Sequence, residues 1–344
     1  MKKILTMIVT LGLLLSLTAC SCGSCKSTPP TPEASYFLTN YKESGVVENL
    51  KEVATYSVTF TNNGKQASNG IKATCTSGTY ITDFSSVKIS DAGTLENAEY
   101  NGEDYCYKFY TNLTFNGTYE YKSQTKTFAD EITATVWFLG EKDNFKPIKM
   151  QKVVKCTTPY ANYKTNGEVS IEFLDFDFDF SIDYSTNNAI IDYTDNSADQ
   201  NFGKQDTTIN NYFSNTFFES ELMLIYPRAF KLNSSFSTTR QTITVDGKTS
   251  LNMKVAGYND SYSGVDMGTE NEKPLKINGK NQTVKIDVVQ FNNTGNYQGQ
   301  PTSIYFTSVD DTNGLFRIPV RMENYMTLVG PVEYNLTQFY HLEG

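Results

Sequence analysis

The residues best suited to chemistry lie in one stretch, Leu174-Asp175-Phe176-Asp177-Phe178-Asp179-Phe180-Ser181-Ile182-Asp183-Tyr184. Apolar positions alternate with acidic or polar ones, so on a strand the stretch presents one aromatic face and one acidic face. Asp175, Asp177 and Asp179 have the spacing of the first three ligands of an EF-hand loop. That reading fails, because Phe180 stands where glycine makes the turn and Thr186 where a bidentate glutamate is needed. Same-face aspartates two apart sit about 6.5 Å from each other, and calcium–oxygen bonds are about 2.4 Å. Neighbours could therefore share an ion only by reaching toward one another. The same spacing falls near the roughly 6.5–9.5 Å of an inverting glycosidase pair, but such carboxylates flank a sugar from different strands. A solvated acidic face is the simplest expectation. A calcium or cationic-partner site and a carboxylate-based hydrolase are its functional rivals.

The aromatic side has two readings as well. Phe176, Phe178 and Phe180, with Trp137 and Phe138 elsewhere in the chain, could form plain core or a surface for an apolar ligand. The 23 tyrosines suit glycan or peptide stacking, and equally suit ordinary strands. The single histidine, His341, reads as a surface residue; one histidine removes Ser-His-Asp and Cys-His catalysis and most histidine-bound zinc sites. A net charge of −9 leaves no basic face for nucleic acid. No dinucleotide fingerprint, phosphate-cradling loop or nucleophile elbow stands in a suitable context. No catalytic residue, metal or cofactor is called for, and the chain reads as non-enzymatic.

The amino terminus has the build of a signal peptide. Lys2 and Lys3 precede an apolar run from Ile4 to Leu17, too short for the roughly 20 residues of a bilayer span. Leu17-Thr18-Ala19-Cys20 follows and resembles the bacterial lipobox. The resemblance implies cleavage before Cys20 and acylation of its thiol and new amine, because only the sulfur can carry a thioether-linked diacylglycerol. Two or three acyl chains hold stably where one would not. The implied partner is therefore a membrane, with the protein in the cell envelope facing away from the cytoplasm. Ser21 to about Ala34, with Pro29-Pro30 and Pro32, cannot bury enough apolar surface to fold and reads as a tether. Cys22 and Cys25 within it lack the helix start of a redox site and the second pair of a zinc ribbon. Cys75, Cys106 and Cys156 are scattered in the body, and their connectivity is not readable.

The elements that must position all this are strands. From about residue 46 the period is two: Tyr107, Phe109, Leu113 and Phe115 alternate with Lys108, Asn112 and Thr114, and Ile132, Ala134, Val136 and Phe138 with Thr133, Thr135 and Trp137. Asn63-Gly64, Asn101-Gly102, Asn116-Gly117, Asn166-Gly167, Asp246-Gly247 and Asn278-Gly279 read as hairpin turns. One segment departs from this pattern. Thr216-Phe217-Phe218-Glu219 has capping-box spacing, and Phe218, Leu222 and Ile225 fall on one helical face before Pro227. The spacing predicts one short helix over 216–226.

This order of elements resembles the bacterial LolA/LolB-like half-barrel proteins. The phrases that carry the likeness are Phe138 to Asp143, Glu219 to Ala229, Arg317 to Glu323 and Val332 to Thr337. The resemblance implies a curved antiparallel sheet or incomplete β-barrel with a helix across its mouth, and a concave surface for a lipid or acyl chain. The chain is longer than a typical single half-barrel. The expected organisation is a signal peptide over 1–19, a lipidated cysteine and tether over 20–45, and a β-rich domain over 46–344. The leading expectation is a surface lipoprotein that binds an apolar ligand or assists envelope proteins. A β-sandwich adhesin for glycan or peptide is the second.

Overall fold

Strict alternation of apolar and polar residues gives a strand one face to bury and one to hydrate, and a chain written this way pairs each strand with its sequence neighbour. The computed structural model describes residues 46, 49–92, 105–140, 145–163, 169–184, 188–197, 206–214, 216–244, 247–266, 275–276, 281–292, 302–308 and 317–342. Cys20, the signal peptide, the tether with Cys22 and Cys25, Asn101-Gly102, Asn166-Gly167 and Asn278-Gly279 lie outside the described residues.

The strands are β1 Lys51–Phe60, β2 Ile71–Lys88, β3 Tyr105–Tyr121, β4 Gln124–Phe138, β5 Pro147–Tyr163, β6 Val169–Tyr184, β7 Asn188–Asp195 and β8 Thr207–Asn210. They continue with β9 Ser237–Thr244, β10 Gly247–Asp266, β11 Leu275–Lys276, β12 Asn281–Asn292, β13 Ser303–Thr307, β14 Pro319–Met326 and β15 Gly330–Leu342. All belong to one curved, open sheet of order β8-β7-β6-β5-β4-β3-β2-β1-β15-β14-β13-β12-β10-β9, with β11 beside β15. Every strand-to-strand ladder is antiparallel, and β1 meets β15 at the centre, so the two ends of the chain's body lock together. The expected mainly β, antiparallel curved sheet is what the chain forms.

The inner face holds one large hydrophobic cluster drawn from every long strand. Its alternation is clean on β4, where Phe128, Ile132, Ala134, Val136 and Phe138 are buried. On β6, Phe178, Phe180, Ile182 and Tyr184 are buried in the same way. A smaller cluster of Ala92, Cys106, Trp137, Leu139 and Ile148 sits apart from it.

Two turn expectations meet different outcomes. Gly64 has φ +70° in the β1–β2 turn and Gly247 φ +103° at the start of β10, as hairpin glycines should. Asn116-Gly117 is not a turn; it lies inside β3, and the chain reverses instead through Lys122 and Ser123. Gly117 faces a bulge in β2 between Cys75 and Ser77. A Cβ there would stand 2.0 Å from the Thr74 carbonyl oxygen and 2.6 Å from the Phe128 ring, so the glycine serves close approach.

Candidate functional site

The segment from Thr216 to Leu232, here the strap, is where the predicted helix fails. It contains two short 3₁₀ turns, Ser220–Leu222 and Tyr226–Ala229, and no α-helix. The Thr216 capping box is absent too; Glu219 caps the first turn, accepting from the Glu221 backbone N–H at 3.1 Å. The physical reason is enclosure on all sides. Phe217, Phe218, Leu222, Met223, Leu224, Ile225, Tyr226, Ala229 and Phe230 are all buried in the main cluster, leaving no polar face for an amphipathic helix. The strap therefore runs against the inner face as core, rather than lying across a mouth.

Polar contacts fix the strap to strands far apart in the sheet. Thr216–Phe218 pairs with the edge of β9, where Gln241 N donates to the Thr216 oxygen at 2.8 Å and Phe218 N to the Gln241 oxygen at 2.9 Å. The Tyr184 hydroxyl of β6 bonds the Glu219 carboxyl. Lys152 Nζ of β5 reaches Glu221 Oε1 at 2.8 Å. Arg228 grips Glu52 of β1 in a two-pronged pair, at 2.7 and 2.8 Å, and His341 Nδ1 stands 3.2 Å from the same carboxyl. Arg317 donates to the Phe230 carbonyl, and the Arg240 guanidinium lies 5.6 Å from the Tyr226 ring centre. His341 is thus a buried partner of Glu52, not a surface residue; its inward phase on β15 overrides its nearness to the chain end.

Electrostatics separate the two carboxyls. Burial would raise Glu52, but the Arg228 charge and the bonds from His341 and Arg228 outweigh it and hold Glu52 at about 2. Burial pushes Glu219 up to about 7, aided by the Glu221 charge and opposed by its bonds from Tyr184, Glu221 N and Ser220.

The second region is the free end of the β5–β6 hairpin. The β4–β5 ladder stops at Glu131–Lys155. β4 runs back to Gln124 alongside β3, and β5 runs on to Tyr163 alongside β6. The two hairpins therefore part company. Where the ladder ends, Thr157 N donates to Asp130 Oδ1 at 2.8 Å in place of a backbone carbonyl. Beyond that point the buried phase changes on both strands of the arm, Thr157–Tyr163 with Val169–Asp175. Val154 and Cys156 are buried, then Thr157 and Pro159; on β6 the buried even positions give way to Ile171 and the half-buried Phe173. The β5–β6 register does not slip, so the arm as a whole turns its other face to the rings. Phe173 stacks on Tyr119 of β3 at 5.9 Å, and Tyr119 stacks on Phe128 of β4 at 4.5 Å.

Two polar groups sit beneath the arm. Asp130 occupies an inward position of β4 between Phe128 and Ile132, and burial pushes its carboxyl up to about 7, opposed by the Thr157 bond and aided by the Asp175 charge. The Tyr119 hydroxyl is fully buried and has no hydrogen-bond partner. Burial and then the Asp130 charge keep it protonated. At the exposed root of the arm, Lys126 Nζ holds Asp175 Oδ2 at 2.7 Å, and Thr157 Oγ1 holds Asp175 Oδ1 at 2.7 Å. Those bonds outweigh Asp175's slight burial and lower it.

The predicted site residues divide among these places. Phe178 and Phe180 are buried in the main cluster, Phe176 is half-buried against it at the root of the arm, and Phe138 stacks with Phe84 at 6.1 Å and meets the strap through Phe145 and Tyr226. Trp137 does not join them. As the strand neighbour of Phe138 it faces the other way, in the smaller cluster with Cys106 and Ile148. The acidic face meets its counterions on adjacent strands: Lys149 pairs with Asp183 at 3.5 Å, Lys155 lies opposite Asp177, and Asn196 bonds Asp179 at 3.2 Å. Asp175 is thus engaged by Lys126 and Thr157, while Asp177 faces Lys155 in register. Among the described residues no group of three or more His, Cys, Asp or Glu could hold a metal ion. Cys75, Cys106 and Cys156 carry thiols rather than disulfides. No described helix is long and apolar enough to cross a membrane. Asp130, Lys152 and Glu52 were missed from sequence, though each interrupts an apolar phase, Asp130 between Phe128 and Ile132 and Lys152 between Met150 and Val154.

No protein-family model matches the chain, and no curated protein matches it. Among solved structures it is similar to a β-barrel-like protein of a domain of unknown function, DUF1849, from Brucella abortus. The TM-score is 0.40 and the identity 11%, over 87% of this chain and 100% of that one.

Proposed function

We propose that this is a non-enzymatic lipoprotein of the cell envelope, held to a membrane through acylated Cys20, whose curved sheet binds an apolar ligand. The anchor rests on the lipobox-like Leu17-Thr18-Ala19-Cys20. The binding rests on one observation: the β4–β5 ladder ends while both hairpins run on, so that the rings of Tyr119 and Phe128 are covered by a two-stranded arm, not by continuous sheet. A two-stranded ribbon is weakly stable by itself, which lets it move without dismantling the core. The strap, by contrast, is core, and it argues against a ligand filling the whole inner face.

The test is to purify the full chain from membranes, extract it with organic solvent and identify what comes out by mass spectrometry. An apolar molecule near one per chain, enriched over the bulk membrane lipids, is the expected result. An extract with the composition of the surrounding membrane overturns the binding. The anchor is tested separately by feeding cells an alkyne-tagged palmitate: the chain should be labelled and Cys20→Ser should lose the label. Equal labelling of both would overturn lipidation at Cys20.

A further inference from the structure

Buried polar groups that have no partner are rare in a folded chain and call for an account. Among the phenols and indoles of the described residues, the hydroxyls of Tyr119 and Tyr226 and the Trp137 ring N–H are such groups. Tyr226 is enclosed by the strap's own rings, Phe218 at 4.6 Å and Phe230 at 4.9 Å. Trp137 lies in the separate small cluster. Tyr119 differs from both. It lies on β3 beside the part of β4 that β5 no longer pairs, its ring is sandwiched between Phe128 on one hairpin and Phe173 on the other, and after burial it is the Asp130 charge that most raises it. Among the described residues the arm's Phe173 covers one side of that ring, with Phe128 opposite it and Phe60 beside it at 6.2 Å, and Tyr163 and Val169, the outermost described pair of the arm, are exposed.

We propose that the arm covers a binding site for the polar end of an uncharged amphipathic ligand, in which the Tyr119 hydroxyl and the Asp130 carboxyl make the hydrogen bonds and the ligand's apolar part displaces the Phe173 ring. This rests on the apolar-ligand reading above and narrows it to one place and one ligand chemistry. A phenol donates one hydrogen bond and accepts others, and a carboxylic acid does the same, so the pair matches a hydroxyl or amide head such as that of a monoacylglycerol. An anionic head is disfavoured, because Asp175 already lies close enough to raise Asp130. Lys126, a cation beside the arm, is committed to Asp175. Phe173 is the displaced ring because it is only half-buried, while Tyr119 and Phe128 are fully so.

The experiment uses the full chain in the membranes where it is expressed, with a clickable monoacylglycerol bearing a photoreactive diazirine in its acyl chain. Saturable labelling on peptides carrying Phe173 or Phe128 is expected, and excess monoolein should compete where oleate does not. Tyr119→Phe should cut the labelling roughly tenfold, the worth of one hydrogen bond of about 1.4 kcal/mol, with unfolding unchanged. Saturable labelling that Tyr119→Phe leaves intact, or that falls on other peptides, overturns this assignment while leaving the apolar-ligand reading standing. Equal competition by oleate overturns the uncharged head. Absence of any saturable labelling overturns both.

Discussion

Strap and arm press against the same cluster of rings, and they are held there in different ways. The strap enters the cluster bearing Arg228, Glu221 and Glu219, and each meets a partner on a strand: Glu52 for Arg228, Lys152 for Glu221, Tyr184 for Glu219. The arm enters with one half-buried phenylalanine and leaves a buried hydroxyl beneath it unsatisfied. Burying a charge is tolerable only when it is paired and hydrogen-bonded, so a segment that carries charges inward and satisfies them is committed to one position. A segment that covers polar atoms without bonding them is not. The strap also holds an unpartnered hydroxyl, that of Tyr226 between its own rings, so what separates the two regions is that the strap's buried charges are paired to the sheet while the arm meets Tyr119 through the Phe173 ring.

The largest effect should come from breaking the strap's tightest pair. Arg228→Met leaves Glu52 charged and buried, and should cost about 3–5 kcal/mol in urea unfolding. Glu52 titrates lower folded than unfolded, so its contribution is present above pH 4.5 and is lost as pH falls toward about 2. That acid-side loss should be missing from Glu52→Gln. A cost of Arg228→Met below about 1 kcal/mol would mean that the strap is no better fixed than the arm, and the contrast would collapse.

The strands were legible because period two survives almost any tertiary context, as on β4 and β6. The strap was not, because Phe218, Leu222 and Ile225 satisfy a helical spacing by accident within a run that is apolar on every side. A run without a polar face carries no period to read. His341 was misplaced for a related reason: nearness to the end suggests exposure, yet β15 is a central strand and pairs with β1 to within two residues of the chain's last. Trp137 and Phe138 were grouped by type although adjacent strand residues face apart. The arm has one visible sign in the sequence, Pro159, which cannot donate to a ladder and so suits a strand leaving its neighbour. Nothing local announces where β4 lets go of β5, since that depends on how Glu131 and Lys155, far apart in the sequence, come into register.

The next effect compares two carboxyls, one in each region. Asp130 and Glu219 both rise to about 7 on folding. Between the unfolded values, 3.8 and 4.5, and about pH 7, the folded chain holds protons that the unfolded chain has released. Stability should therefore be greatest at the acid end of that window and fall as pH rises, by at most about 1.4 kcal/mol per pH unit for each group. Asp130→Asn and Glu219→Gln should each flatten the fall measured by urea midpoints from pH 4.5 to 8. The groups facing Asp130 are Thr157, Asp175, Tyr119, Cys156 and Tyr334, and none of them titrates within the window. Curves for both variants that parallel the parent would place the titrating protons elsewhere.

Phe173→Ala should cost less than a fully buried phenylalanine, about 1–2 kcal/mol, because the residue is only partly buried. Its more telling readout is hydrogen exchange. Amides of 157–163 and 169–175 should exchange faster, while those of 217–230 keep the protection of the global fold. Equal acceleration in both segments would show that strap and arm open as one unit, and the division drawn between them would have to be abandoned.

Tyr119→Phe should change stability least, and its sign carries the information. Removing a buried hydroxyl that has a partner strands that partner and costs about 1–3 kcal/mol, whereas removing one that has none relieves an unmet desolvation. The hydroxyl of Tyr119 has no partner and the ring's stacking on Phe128 and Phe173 is untouched by the change. The variant should therefore unfold at the same urea concentration as the parent or slightly higher. A loss above about 1 kcal/mol would mean that the hydroxyl is bonded within the chain in solution, to Asp130 or through water, and that the arm covers core just as the strap forms it. A neutral result leaves a polar atom that the fold does not need, placed under the arm, where β5 has parted from β4.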